Sequence, residues 1–310
     1  MDHDLESEAK AFGERARERV RNGHIPDLRR VTPCDAFYNN PWRRPYLANM
    51  VFGASLDFLL AHLHGETVLE VGSGVGYMTL ELARQGYHVT GLELSEEAVE
   101  IAKEFASANP WRDGFGSLQY LAADFLSWRP DTKYDNVVFH GTLHHFTDCG
   151  TVLRRTRDIL AEGGHVLIVE PARDYHTEND AAVIAMIRTL LAAFGGWYED
   201  LVLPTTMEAL EFRVRQCLDE YREAHETTEA PQSPHDNASF ADHMLAELRS
   251  QFHEIAMERG CAFFPRIGGG VRAGSEAQAE AVARFLFLFD QYAVQHGLMN
   301  PGVYRWAGTK

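Results

Sequence analysis

The segment VLEVGSGVGYMTLELA, residues 68–83, runs from an apolar stretch through three glycines into a pattern of helical periodicity. A strand ends here at Glu70 and Val71, a turn follows at Gly72, Gly74 and Gly76, and a helix opens near Tyr77. Glycines permit a tight turn and a close backbone approach, and the amides of a helix start face whatever binds there. A dinucleotide turn is spaced GxGxxG. Here the third glycine stands one position early, as GxGxG, and Glu70 precedes the first by two. That spacing opposes a nicotinamide oxidoreductase. The next apolar run ends in GLEL, residues 91–94, which places Glu93 where a carboxylate can accept two hydrogen bonds from ribose hydroxyls. A third ends in LAADF, residues 121–125, with Asp124 positioned to accept from an exocyclic amine such as that of adenine.

Outward from this segment the pattern alternates. Apolar runs at Thr67 to Val71, His88 to Leu92, Leu118 to Leu121, Asn136 to Phe139 and His165 to Val169 read as short buried strands. Helical stretches near Tyr77 to Gln85, Glu96 to Ala108 and Thr151 to Ala161 lie between several of them. Such alternation implies an α/β fold, a doubly wound and mostly parallel sheet with ligands at the carboxyl ends of its strands. Upstream, Leu5, Ala9, Phe12, Ala16 and Val20 form the stripe of an amphipathic helix that can lie on the body as a lid. A second helix is expected over Pro45 to Leu63. After Pro171 the regularity stops: helices are expected near residues 178–194 and 206–223, a polar loop at 227–239, a helix over Phe240 to Arg259, and closing strands at Cys261 to Pro265 and Val303 to Ala307. The organisation expected is an N-terminal helical arm (1–64), a core (65–172), a helical insertion after the fifth strand that caps the site (173–260) and closing strands (261–310).

The chain has 310 residues and 45% hydrophobic side chains, enough for a substantial core. Its 45 acidic against 29 basic side chains, a formal charge of -16, argue against nucleic acid or an anionic membrane as partner. Cys34, Cys149, Cys217 and Cys261 show neither disulfide-framework nor zinc-finger spacing. The histidines suggest no metal site, and no apolar run is long enough to cross a membrane. A cytoplasmic protein is expected, monomeric or a homodimer, with a small molecule as its partner.

As a set, EVGSGVG (70–76), LEL (92–94), AADF (122–125), VVFHGTLHHF (137–146) and GGHVLIVEP (163–171) resemble the ordered motifs of the class I S-adenosylmethionine-dependent methyltransferases. The resemblance covers roughly residues 65–172 and implies a Rossmann-like sheet with S-adenosylmethionine as cofactor. By that likeness Gly72, Gly74 and Gly76 pack against the amino-acid and ribose parts, and Glu70 sits near the methionine ammonium. Glu93, with Leu94, takes the ribose hydroxyls; Asp124, with Phe125, takes the adenine; His140, Gly141 and Thr142 line the methionine tail.

Methyl transfer is an in-line displacement, so the protein supplies position, and a base where the acceptor must lose a proton. Glu170, His144 and His145, at the ends of the fourth and fifth strands, are the candidates; positioning alone is the alternative. Candidate acceptor contacts are Tyr38, Trp42, Arg43, Arg44 and Tyr46 of YNNPWRRPY, residues 38–46, and Tyr175 and His176 after the fifth strand. The two arginines have three readings: surface charges paired with an acidic body, a hold on the cofactor carboxylate, or a clamp on an anionic acceptor. A carbon acceptor such as a prenyl diphosphate would use Glu170 as base, an aromatic-lined pocket and Mg2+ for the diphosphate. In FPRIGGGVR, residues 264–272, three glycines between Arg266 and Arg272 suit either an anion cradle or a plain turn. A module that binds the cofactor without catalysis is the reading from another class.

Overall fold

A computed structural model describes residues 3–31, 41–222 and 239–310. Strands β1 (Thr67–Val71), β2 (His88–Glu93), β3 (Ser117–Ala122), β4 (Tyr134–His140), β5 (Leu160–Pro171), β6 (His253–Gly260) and β7 (Val303–Thr309) form one sheet, ordered 3-2-1-4-5-7-6. The first five are parallel, and β7 runs antiparallel between β5 and β6. The strand order reverses between β1 and β4, so the crevice for a ligand opens above their carboxyl ends.

Successive strand residues point to opposite faces, and both faces are covered. Leu69, Val71, Val137, Phe139, Val166 and Ile168 pack with helices α5 (Cys149–Ile159) and α8 (Ala241–Gln251). Val68, Val89, Val138, Leu167 and Val169 face α2 (Pro45–His62) and α3 (Tyr77–Arg84). Burial on both sides is why the runs are apolar throughout. Helix α4 (Glu96–Ser107), capped by the Ser95 side chain on the Ala98 amide, joins β2 to β3. Helix α1 (His3–Arg21) lies across α4.

A second core joins α6 (Glu178–Ala193), α7 (Met207–Arg222), the short α9 (Phe264–Ile267) and α10 (Glu276–Gln295) to Leu47 and Met50 of α2. Thr177 followed three positions on by Asp180 has in the sequence the form of an N-cap with an acid, a variant of the capping box, and the two form that reciprocal box at the start of α6. Between α8 and β7 the structure departs from the expected elements. The helix expected over 240–259 ends at Gln251, and His253–Gly260 is the edge strand β6. Its residues favour a helix locally, but pairing with β7 and the bond from Trp306 Nε1 to Glu254 (2.7 Å) decide for a strand. Its charged, exposed side chains suit a sheet edge. The strand expected at Cys261 to Pro265 is instead a bend into α9, where buried Asp290 of α10 accepts the amides of Ala262 and Phe263 (2.7 Å each). Helix α10 itself has no counterpart in the sequence reading. Most of the expected polar loop at 227–239 lies outside the described residues.

Candidate functional site

The glycine turn sits where β1 meets α3. Gly72, Gly74 and Gly76 have φ of +68°, +53° and +82°, the left-handed region that favours glycine. Space adds a second constraint: a Cβ at Gly72 would lie 2.2 Å from Thr142 Cγ2, and one at Gly76 2.4 Å from the Tyr120 hydroxyl. Glu70 is 2% exposed, and its Oε2 has no hydrogen-bond partner among the described residues. Burial pushes its carboxyl up to about 8, only partly offset by hydrogen bonds from Thr79. A buried carboxylate with one oxygen unbonded among the described residues, beside a glycine turn, fits the ammonium of a bound S-adenosylmethionine. Glu93 accepts the amides of Gly74 and Ser95, 2.9 Å each. Burial raises its pKa, and those amides fix the carboxylate in place. Leu94, half-buried, continues from it. Asp124 accepts the amides of Leu126 and Ser127 (3.1 Å each), so it also closes the turn after β3. Phe125 points away from the crevice into the core, edge-on to Phe139 at 5.9 Å.

The loop after β4 is held from β5. Glu170 is 0% exposed and accepts the amides of Thr142 (2.7 Å) and Leu143 (2.6 Å) on one oxygen and His144 Nδ1 (2.6 Å) on the other. Burial alone would raise its pKa, but the charge and hydrogen bond of His144 and the two amides outweigh it and hold the carboxyl below its usual range. This is an anchor's geometry. It departs from the expectation that Glu170 itself acts as the base, because a sealed carboxylate with three bonds cannot reach an acceptor. His144, 4% exposed, keeps an edge on a cavity of about 240 Å³. His145 stacks on it with ring centroids 4.3 Å apart and pairs with Glu8 of α1 (3.2 Å).

Helix α1 crosses the glycine turn. The Phe12 ring lies 3.3 Å from where a Cβ on Gly74 would stand, Gly13 abuts Ser95, and Arg17 pairs with Glu97 at 2.8 Å. Phe12 belongs to the apolar stripe that the sequence turns toward the body, whereas no local signal marks Glu8. An aromatic wall stands on the other side: Trp42 packs on Phe52 (4.7 Å) and Tyr77 (5.0 Å), and Tyr77 meets His140 edge-on at 5.8 Å. Tyr77 follows Gly76 directly, which is the signal that could have singled it out. Burial pushes the His140 imidazole down to about 4, against the pull of Glu170, so it is neutral near pH 7.

The other expected acceptor contacts lie elsewhere. Arg43, 3% exposed, donates through Nε to the Gly269 carbonyl (2.9 Å) and through Nη2 to that of Val271. Arg44 makes a two-point bond to Glu276 (2.7 and 2.9 Å), which also accepts the Tyr46 hydroxyl (3.1 Å). These bonds tie the arm to the glycine run and the start of α10. Arg272 likewise donates to the Gly269 and Val271 carbonyls, so the GGG segment is a bonded turn. Tyr175 donates to Asp242, and buried His176 bonds the Ala262 carbonyl through Nε2 (2.8 Å), so neither faces the glycine turn. Tyr38 lies outside the described residues. Among those described, no cluster of three metal-ligating side chains forms and no helix is long and apolar enough to cross a membrane.

Residues 43–208, more than half of the chain, match the family model described as a methyltransferase domain. An uncharacterized methyltransferase of Mycobacterium tuberculosis is 30% identical over 128 residues, 41% of this chain and 60% of that protein. A ubiquinone biosynthesis O-methyltransferase of Aeromonas salmonicida is 33% identical over 109 residues, 34% of this chain and 43% of that one. The chain thus spans about half the length of the curated relatives it matches. Among solved structures, the (4+2)-cyclase SpnF shares the fold at a TM-score of 0.54 and 16% identity, over 98% of this chain and 94% of that one. With more than half of its length matched to that family model on a sheet of this order, the chain belongs to the class I S-adenosylmethionine-dependent methyltransferases.

Proposed function

We propose that the protein methylates a small-molecule acceptor from S-adenosylmethionine, with His144 as the base and Glu170 as the residue that positions it. The observation that carries this is the 2.6 Å bond between Glu170 Oε2 and His144 Nδ1, made by a carboxylate that also pins the loop bordering the glycine turn. When bound, the cofactor supplies an electrophilic methyl group on a sulfonium, whose transfer leaves the bonding pair on sulfur. The chain's own residues do the rest. Glu70 takes the ammonium, Glu93 the ribose hydroxyls and Asp124 the adenine amine. The Glu170 carboxylate at Nδ1 orients the ring and stabilises the imidazolium that forms when it takes the acceptor's proton. Helix α1 serves as a cover that keeps water from the reacting atoms.

The engagement of Glu170 favours an oxygen or nitrogen acceptor over the prenyl diphosphate reading, which needs that carboxylate for a proton on carbon. Isothermal titration with S-adenosylmethionine and its demethylated product, followed by label transfer to extract-derived acceptors, tests the proposal. Binding without any transfer would turn the reading toward a non-catalytic module.

A further inference from the structure

We propose that the outer face of α10 is the surface on which a second copy of this chain docks. The sequence of the helix is the first argument. Residues 276–295 carry two apolar stripes at three- and four-residue steps. Ala279, Ala283, Leu286 and Ala293 form the inner one, buried, with Asp290 among them accepting the amides of Ala262 and Phe263. Ala281, Phe285, Leu288 and Tyr292 form the outer one, and all four are exposed. A surface helix ordinarily turns one apolar face to its core and a polar face to water. Steps of four, three and four residues are those by which one helix meets another along a seam.

Area is the second argument. Phe285, Leu288 and Tyr292 are 64%, 63% and 52% exposed. That leaves roughly 350 Å² of these residues in one stripe, where surface apolar side chains are otherwise scattered singly. One side of a standard protein interface covers about 800 Å², a little over half of it apolar. The stripe supplies most of that apolar share. Phe289, partly buried and stacked on Phe285 at 6.3 Å, widens it, and the exposed Gln278, Gln291 and Gln295 give it a hydrogen-bonding rim.

Charge decides what covers it. With a formal charge of -16, two copies of the chain repel one another over most of their surfaces. Past Glu276 the charged residues of α10 are Glu280, Arg284 and Asp290. Glu280 and Arg284 pair with each other (2.5 Å), and Asp290 is buried. The outer face is therefore formally neutral, so two acidic chains can meet there without opposing like charges. A basic partner or an anionic lipid surface would find no charge of opposite sign left to pair with along the stripe. A two-fold axis lets the same patch serve both copies, and Leu288, midway between Ala281 and Gln295, then lies against its own counterpart.

The test uses the full chain. Sedimentation velocity across the micromolar range is expected to show a mass that rises to twice that of one chain. L288E and F285E are each expected to weaken the association at least tenfold, with unchanged far-ultraviolet circular dichroism as the sign that the variant is folded. L288C treated with a short bismaleimide is expected to cross-link into a pair of chains, with the unsubstituted protein as the blank; this readout decides the matter even if the glutamate variants fail to fold. A chain that stays monomeric at high micromolar concentration, a dimer that both glutamate variants leave intact, or a dimer in which L288C does not cross-link would overturn the proposal. A monomer that floats with phosphatidylcholine vesicles would overturn it in favour of a lipid surface as the occupant.

Discussion

Glu70→Gln probes the cofactor end of the site through proton linkage. The folded chain holds this carboxyl at about 8 against an ordinary 4.5, because it is sealed from water. A raised carboxyl pKa means that the folded state binds the proton more tightly than the unfolded state. Stability from this group therefore falls as pH rises from about 4.5 to about 8. Between pH 6 and 8 the loss is about 2 kcal/mol, and across the whole window roughly 5 kcal/mol. Glutamine removes that dependence, so urea midpoints of the variant are expected to stay flat where those of the cofactor-free protein decline. Cofactor binding works in the opposite direction. An ammonium beside Glu70 favours the carboxylate, so binding at pH 7 is expected to release up to about 0.9 proton per molecule. Calorimetric heats should then depend on the ionisation enthalpy of the buffer, and affinity should rise toward pH 8. In the variant the dependence vanishes and affinity falls about 10- to 100-fold, as for one lost charge-assisted hydrogen bond. Identical heats in phosphate and Tris, with an unchanged Kd for Glu70→Gln, would refute the reasoning.

Three further outcomes are expected. His144→Gln should lower kcat about 10²- to 10⁴-fold with cofactor affinity intact, whereas Glu170→Gln breaks a buried pair and should cost about 3–5 kcal/mol in urea melts. Because the folded pKa of Glu170 is depressed, its contribution is present above about 4.5 and lost as pH falls through the folded value. Arg43→Ala removes two buried bonds to carbonyls that keep Arg272 as a donor and should cost about 1–3 kcal/mol, while Arg44→Ala, losing an exposed pair with Glu276, should cost under about 1 kcal/mol; chemical denaturation compares them. Phe12→Ala or Glu8→Ala should speed cofactor release in stopped-flow fluorescence, with little change in the association rate, since each loosens α1 over the glycine turn.

The portion of the fold legible in the sequence is the portion fixed by local pattern. β1 begins and ends where its apolar run does, and α3 opens at Tyr77, because double-sided burial and a left-handed glycine leave few alternatives. The strand-end acids could be placed for a related reason: each lies within two residues of its strand's carboxyl end, so finding the strand finds the carboxylate. The capping box at Thr177 was legible too, since its bonds span only three positions.

What tertiary structure decided are contacts between residues far apart in the chain. β6 is a strand because β7 lies beside it, against its own helical composition. Arg43 and Arg44 left three readings open in the sequence, and only the fold supplied their partners, the turn at 269–271 and Glu276, more than 220 positions away. Glu170 looked like a base until the loop after β4 folded onto it and sealed it from any acceptor. The sequence by itself determined the Rossmann-like sheet and the glycine turn at its first strand, because periodicity and turn geometry are local properties of a chain. Which carboxylate anchors and which imidazole faces a cavity depended on long-range packing, for burial and hydrogen-bond partners exist only once distant segments meet.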